Sequence, residues 1–521
     1  MSTGRFTGLD RVRAVVDVPP VALAEYAAAF AFLAAGLPLV YVGTPLQLDE
    51  ALFLVLGEQL QQGGRLYAGF ADHKPPGMPW LAAGLVQLGG EPHVWGRLLT
   101  YAVNATCALV LIGVGRRLYS LRAGAFASLL YLGSVYLPHF QGHHFTSEVY
   151  ANLCLVVGAL FLLRGHSPDR FVGGACLAVA ALFNQTVLLV GLPVGVYLFL
   201  DWARDAAGGR RRLVRRYLVV GTGFGLPLVA AGGVLAVRGA LVDALHYTVY
   251  YPATGYGTPL DPLGQLRGVL SYLPVLLLVA VELAVLGRRL RRQRSVDPAA
   301  AFVVLWLLVL SAPGLTTFSG TDRLLFAFPP ATLLAGVALT RVHDELFPLC
   351  ETVGLRGLFE GVSARECRQI ERAAAVVVVA VLLVSVGTNA VLLSRQVGES
   401  MATQEATAER IGDRIEGEAY LLGYDNAIYY FSDPVEPAPT FVGYPYSTAL
   451  AESITADLER HEVEYVVVPR RWTDDGHVER GGLWPEQRAP IFEYVERNYE
   501  HQSHTEEYAV YRRSDGAASS E

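Results

Sequence analysis

Apolar runs of spanning length recur along the first three quarters of this chain and stop near residue 394, where shorter alternating and helical patterns take over. A helix needs about 20 apolar residues to cross the hydrocarbon core of a bilayer. Runs near that length lie at 22–42, 94–115, 122–141, 149–164, 171–186, 187–202, 217–237, 265–286, 299–317, 324–341 and 373–394. The pattern predicts about eleven spans, and so an α-helical polytopic membrane protein. Beyond 394, helical periodicity at 402–416, 447–461 and 485–499 alternates with strand-like runs at 419–424, 465–468 and 508–511. That alternation predicts a small α/β domain, dividing the chain into a membrane domain, 1–394, and a soluble domain, 395–521.

Only 17% of the residues are charged, too few to give so many helices a water-facing side, and mean hydropathy is +0.35. Arginine clusters fall in every second connection: Arg11 and Arg13, Arg116 and Arg117, Arg164 with Arg170, Arg210 to Arg216, Arg288 to Arg294, and Arg341 to Arg372. Because basic loops are retained in the cytoplasm, the expected topology is a multi-pass protein of the cell membrane with its N-terminus inside and its C-terminal domain outside. The first apolar run lacks a small-residue cleavage site and is expected to remain as an anchor. The outward segments are then 43–93, 142–148, 184–187, 238–264, 317–323 and the tail.

The tail carries 25 acidic and 11 basic residues, a balance of −14 against +7 for the remainder. Such a surface suits a salty medium and argues against a nucleic-acid partner. All five cysteines (Cys107, Cys154, Cys176, Cys350, Cys367) precede the tail. No disulfide can therefore staple it, and no Cys/His cluster suggests zinc.

Candidate chemistry concentrates in the first outward loop, 43–93. Asp49 and Glu50 open an apolar stretch able to lie as a surface helix, where a carboxylate serves as an N-terminal cap as readily as it serves catalysis. Further on, Gly63-Gly64-Arg65-Leu66-Tyr67 leads through Asp72 to His73-Lys74-Pro75-Pro76. Lys74 is the only lysine; the other 40 basic residues are arginine. A compact ammonium meets a phosphate as a point charge, which arginine's planar fork does not reproduce.

An acidic pair after the first span, a Gly-x-x-Tyr-type turn and Lys-Pro-Pro before the next span together resemble the GT-C superfamily of membrane glycosyltransferases, in particular its protein O-mannosyltransferase and aminoarabinose transferase branch. Looser similarities follow. Thr146-Ser147-Glu148 stands where that family has a second outward acid, Gln185 where it often has a lysine, and Asp322-Arg323-Leu324 through Pro330 is similar to the opening of a late span. The resemblance implies transfer of a sugar, a hexose such as mannose above all, from a polyprenyl- or dolichyl-phosphate donor to a protein, glycan or lipid acceptor, with inversion at the anomeric carbon. Asp49 would be the base, with Glu50 and Glu148 as further catalytic carboxylates. Lys74, Arg323 and Arg65 would hold the donor phosphate. Tyr67, His73, His143, His144, Gln185, Tyr250 and Tyr251 are candidates to line the substrate.

Each residue also has a plainer reading. Tyr250 and Tyr251 suit an interfacial aromatic belt, and Arg323 suits a snorkelling span end. No cofactor is implied with certainty; a divalent metal is a possibility, with His143, His144 and Glu148 as its candidate ligands. Asn-x-Thr sequons at Asn104 and Asn184 fall inside or at the ends of spans, where glycosylation is not expected. Two other classes share the polytopic pattern, a lipid-linked sugar flippase or transporter and a non-catalytic anchored binding protein. Transporters usually show paired halves with broken spans, and the Trp-Trp-Asp signature of oligosaccharyltransferases does not occur in the chain.

Overall fold

A computed structural model of the chain describes residues 20–205, 209–255, 262–293, 295–316, 324–342, 385, 387–395, 400–423, 425–443, 447–474, 477–478 and 486–514. Among the described residues, seven helices are long and apolar enough to cross a membrane: Ala22–Tyr41, Pro92–Leu118, Ser147–Arg164, Gln185–Arg204, Arg210–Val237, Leu266–Gln293 and Leu324–Arg341. Gly77–Val86, Leu121–Val135 and Pro298–Pro313 are shorter apolar helices.

This is fewer full-length spans than the expected number. The run at 122–141 closes at Val135, because Pro138, just beyond the cap, cannot continue a helix. The run at 171–186 becomes Ser167–Phe183 and breaks at Asn184, whose side chain accepts from the Thr186 N–H and starts a new 3₁₀ turn, Gln185–Val190. Most of the run at 373–394 lies outside the described residues.

The helices pack through small residues, as expected where lipid gives no hydrophobic drive between them. Gly174 presses against the Val220 carbonyl and Gly223 against that of Phe171, so closely that neither position has room for a Cβ. Gly115 and Gly124 make the same kind of crossing between Pro92–Leu118 and Leu121–Val135.

The direction of each helix sorts the two faces of the protein. Ser147 and Glu148 open a helix that Arg164 ends, and Ser167–Phe183 returns from the arginine end to Asn184. Arg116 and Arg117 close Pro92–Leu118, whereas its opening turns face the first loop. Within that loop two helices form, Leu48–Gln61 and Gly77–Val86.

The tail folds as an α/β domain. Strands β1 (Gly417–Leu421), β2 (Val435–Pro437), β3 (Tyr465–Pro469), β4 (Thr473–Asp474), β5 (His477–Val478), β6 (Tyr499–His504) and β7 (Tyr508–Arg513) alternate with helices Met401–Gly412, Ala427–Phe431, Thr448–Arg460 and Ala489–Asn498. The main sheet runs β2-β1-β3-β7-β6, with β1 parallel to both neighbours and β7 antiparallel to β3 and β6. The central β3 is buried on both faces: Val466 and Val468 join Ile454, Leu458 and Phe492, while Val467 joins Ile411, Leu421 and Val510. Its unbroken apolar run follows from that double burial.

This domain is tied directly to the first loop, 43–93. Met401 N–H donates to the Gly43 carbonyl at 3.2 Å, Gln404 pairs with both backbone groups of Leu46 at 2.8 and 3.2 Å, and Ala71 bridges Phe441 as a short parallel pair. The tail therefore adds to the wall around the loop that carries the candidate chemistry.

The Gly174–Gly223 crossing generates a prediction. Gly223→Val forces a side chain into the Phe171 backbone and should cost about 1–3 kcal/mol by overpacking, seen as a lower apparent Tm of the purified protein in detergent; an unchanged Tm would show that the crossing has slack.

Candidate active site

Consecutive carboxylates at a helix start point about 100° apart, and Asp49 and Glu50 are separated by that rotation. Gln47 caps the helix, its side-chain oxygen accepting from Asp49 N–H at 2.9 Å and Glu50 N–H at 3.3 Å, and Glu50 completes a capping box to Gln47 N–H. Glu50 then turns inward and is fully buried. Arg97 grips it with two parallel bonds, Nε and Nη2 each at 2.9 Å, and His144 Nδ1 lies 2.8 Å away. Burial pushes the Glu50 carboxyl up, but Arg97 and His144 outweigh it and hold the group below the usual carboxylate range. Arg97 also donates to the carbonyls of Tyr41, Val42, Thr44 and Pro45 at 2.8–3.0 Å. Glu50 is therefore placed as an internal anchor, with its carboxylate bonded to Arg97 and His144.

Asp49 points the other way. Its side chain keeps 20% exposure and lies 3.6 Å from the Lys74 ammonium. Burial raises the Asp49 carboxyl above its ordinary value, Lys74 lowers it in part, and Glu148 and Asp72 raise it further. Lys74 is 6% exposed and reaches Glu148 Oε1 at 3.3 Å and Ser147 Oγ at 3.4 Å. Asn184 Nδ2 donates to the same Glu148 oxygen at 2.8 Å and to Ser147 Oγ at 3.0 Å. The second Glu148 oxygen, Oε2, is buried and takes no hydrogen bond among the described residues. Asp49, Lys74 and Glu148, 99 residues apart in sequence from first to last, thus meet in one group.

The Lys74 loop is held by its own backbone. Tyr67 adopts φ 70°, uncommon for a bulky residue, and its hydroxyl donates to the Lys74 carbonyl at 2.7 Å. Burial, with Asp72 nearby, pushes the Tyr67 phenol well above its usual value, so it stays a donor. Asp72 accepts from Lys74 N–H at 3.3 Å and pairs with His73 Nδ1 at 2.8 Å. Gln185 Nε2 donates to the His73 carbonyl at 3.0 Å. Tyr67, His73 and Gln185 accordingly sit around Lys74 as its supports.

Other expected residues lie elsewhere. Arg65 is exposed on the turn, outside the Lys74 group. His143 is buried and stacked on Tyr41 with ring centroids 3.8 Å apart; burial drives its pKa well down and keeps it neutral. With His144 committed to Glu50 and Glu148 to Lys74, the three candidate metal ligands do not converge, and no group of three or more His, Cys, Asp or Glu suited to a metal exists among the described residues. Tyr250 is 60% exposed and stacks on His246, while Tyr251 is buried edge-on to Phe441 of the tail domain. Arg323 and Asp322 lie outside the described residues.

Arg97, Ser147 and Asn184 were not singled out from the sequence as site residues. Arg97 had a usable signal, an arginine at the outward end of a span, against the inside bias. Asn184 had only its place beside Gln185.

The profile of the dolichyl-phosphate-mannose-protein mannosyltransferase family matches residues 73–231, from the Lys74 loop through Asn184 and beyond. No curated protein matches by sequence. Among solved structures, the chain is similar to ArnT of Cupriavidus metallidurans bound to undecaprenyl phosphate, at 16% identity over 95% of this chain and 98% of that one, with TM-score 0.59. It is also similar to the oligosaccharyltransferase AglB of Archaeoglobus fulgidus in complex with an inhibitory peptide and a dolichol-phosphate, at 14% identity over 95% and 74%, TM-score 0.54. The apo form of the Archaeoglobus fulgidus oligosaccharyltransferase gives 13% over 86% and 69%, TM-score 0.55. The chain has the GT-C fold, that of a multi-helix membrane protein with a small C-terminal sheet domain.

The Glu50–Arg97 pair generates a prediction with a defined sign. Glu50→Gln leaves Arg97 buried and uncompensated, a loss of about 3–5 kcal/mol. A depressed carboxyl contributes stability above its unfolded pKa of about 4.3 and loses it as pH falls toward the folded value. The Tm gap between wild type and Glu50→Gln should therefore be wide at neutral pH and narrow below about pH 4; a gap that stays constant would mean that Glu50 is not ionised in the fold.

Proposed function

We propose that the chain is a membrane glycosyltransferase that moves a sugar from a polyprenyl-phosphate donor to an acceptor at the outer face, with Asp49 as general base and Lys74 at the donor phosphate. The observation that carries this reading is the convergence of Asp49, Lys74 and Glu148. Glu148 opens a span that Arg164 ends, and the loop carrying Asp49 and Lys74 leads into one that ends in Arg116 and Arg117. The GT-C fold and the family match over 73–231 support the same class.

The chemistry follows from the arrangement. The bond between the anomeric carbon and the phosphate oxygen breaks as a bond from the acceptor oxygen forms on the opposite face, inverting the centre. The acceptor proton passes to Asp49, whose raised pKa makes it a better base than a solvated aspartate. Charge building on the departing phosphate is met by the Lys74 ammonium, which is fixed in place beforehand, so little reorganisation is needed. Glu148, with Asn184, holds that ammonium from the other side. Arg323 would be a second phosphate ligand. A hexose such as mannose is the proposed cargo, consistent with the family whose profile matches.

Radiolabel transfer from a polyprenyl-phosphate mannose donor tests the reading. Asp49→Asn should lower turnover by about 10²–10⁴-fold, the usual worth of a positioned base. Lys74→Arg keeps the charge but loses the point contact, and should also impair transfer while leaving the protein folded. Wild-type rates in both variants would sink the mechanism.

A further inference from the structure

A crevice of about 230 Å³ lies beside the Tyr67 turn, where three segments meet: residues 67–71 of the first loop, Asp243 and Tyr247 of the segment 238–264, and Thr440, Asp457, Arg460 and His461 of the tail domain. We propose that this crevice is a carbohydrate subsite that takes one sugar ring of a glycan acceptor. The inference rests on the transferase reading above and adds the acceptor's chemical class.

The lining chemistry argues for a polyol. Its walls are mostly polar, yet the rings of Tyr67, Phe70 and Tyr247 stand among them, the mixture that suits a ring with hydroxyl edges and a C–H face. Carboxylates accept two hydrogen bonds from neighbouring hydroxyls, and Asp243 and Asp457 both lie within electrostatic reach of the Tyr247 phenol. Arg460 is already paired with Asp457 at 2.6 Å, so the crevice offers an anion little, and among the described residues it contains no metal-binding group. Its size is below the roughly 300 Å³ at which pockets begin to hold drug-sized ligands, appropriate to a single ring. Polyprenyl chains have no partner here.

Position gives the crevice a consequence for transfer. Tyr67 forms its back wall and holds the Lys74 carbonyl. Ala71, another lining residue, is fixed to the tail by the Val442 N–H at 2.9 Å. Gly443 stands so near Asp72 that a Cβ there would lie 2.8 Å from its carboxylate oxygen. A sugar seated between loop and tail would therefore brace the segment that presents Lys74.

The test uses the full chain in detergent and three probes, the methyl α-pyranosides of mannose, glucose and galactose, observed by saturation-transfer NMR. At least one should bind wild type, and Asp243→Ala and Asp457→Ala should each weaken it by about tenfold or more, the worth of a hydrogen bond to a charged group. Asp49→Asn should bind it normally. No binding by wild type, or equal binding in both crevice variants with unchanged Tm, overturns the subsite. Mannose transfer from the lipid donor is measured in parallel: glycoside binding without any donor turnover would sink the transferase reading and keep the subsite, whereas turnover without binding does the reverse.

Discussion

The buried pair between Glu50 and Arg97 organises the face of the protein that carries the candidate site. Two charges taken out of water are costly unless geometry and further hydrogen bonds compensate. Here the guanidinium makes two parallel bonds to one carboxylate and spends its remaining donors on carbonyls at the end of the first span. The second partner, His144, brings in the connection before the helix Ser147–Arg164. One ion pair thus binds the exit of the first span, the start of Pro92–Leu118, the loop at 142–146 and the helix Leu48–Gln61, which is buried from Glu50 to Gly57 where the sequence suggested a helix lying on the surface. Asp49 inherits its position from that assembly, because the helix that Glu50 anchors leaves only one direction for its neighbour.

On this base the reactive group is built from competing charges. Lys74 shares its ammonium between Asp49 and Glu148, and in so doing keeps two nearby carboxylates from repelling each other. The ammonium is thereby fixed between two carboxylates inside the fold. The loop beneath it is constrained by Tyr67, by Pro75 and Pro76, and by the tail domain through Ala71. The domain at the C-terminus is in this sense part of the site's scaffold.

Much of this was legible in the chain. Lys74 stood out as the only lysine, and its Pro-Pro neighbours with the upstream acidic pair pointed to the loop whose lysine the fold brings to Asp49 and Glu148. Glu148 was legible from its place after the third apolar run. The strand-like runs at 465–468 and 508–511 and the helical pattern at 447–461 followed from periodicity, and the fold has Tyr465–Pro469, Tyr508–Arg513 and Thr448–Arg460 there. What the pattern did not reveal has physical reasons. Asp49 and Glu50 are chemically alike and adjacent, and only the packing of Arg97 against one of them separates anchor from candidate base. Asn184 fell both in the apolar run 171–186 and in the short segment 184–187, and only the fold shows that it ends the helix and bonds Glu148. Strand β6, Tyr499–His504, is polar along most of its length because it lies at a sheet edge, so it carried no hydrophobic signal.

The amino-acid sequence by itself determined the class of solvent each segment meets: apolar length sets which runs can lie in lipid, arginine placement sets the expected sidedness, and the acidic, lysine-free tail reads as a water-exposed domain. These are properties of composition and local period, and they survive without knowledge of neighbours. The tertiary structure alone decided which polar groups share a site, since Asp49, Lys74, Glu148 and Asn184 come from four separate segments. It also decided where helices end, because caps such as Asn184 act through side-chain bonds rather than through hydropathy. Charge in a low-dielectric setting takes its meaning from what stands within a few ångströms, and that distance is fixed by packing.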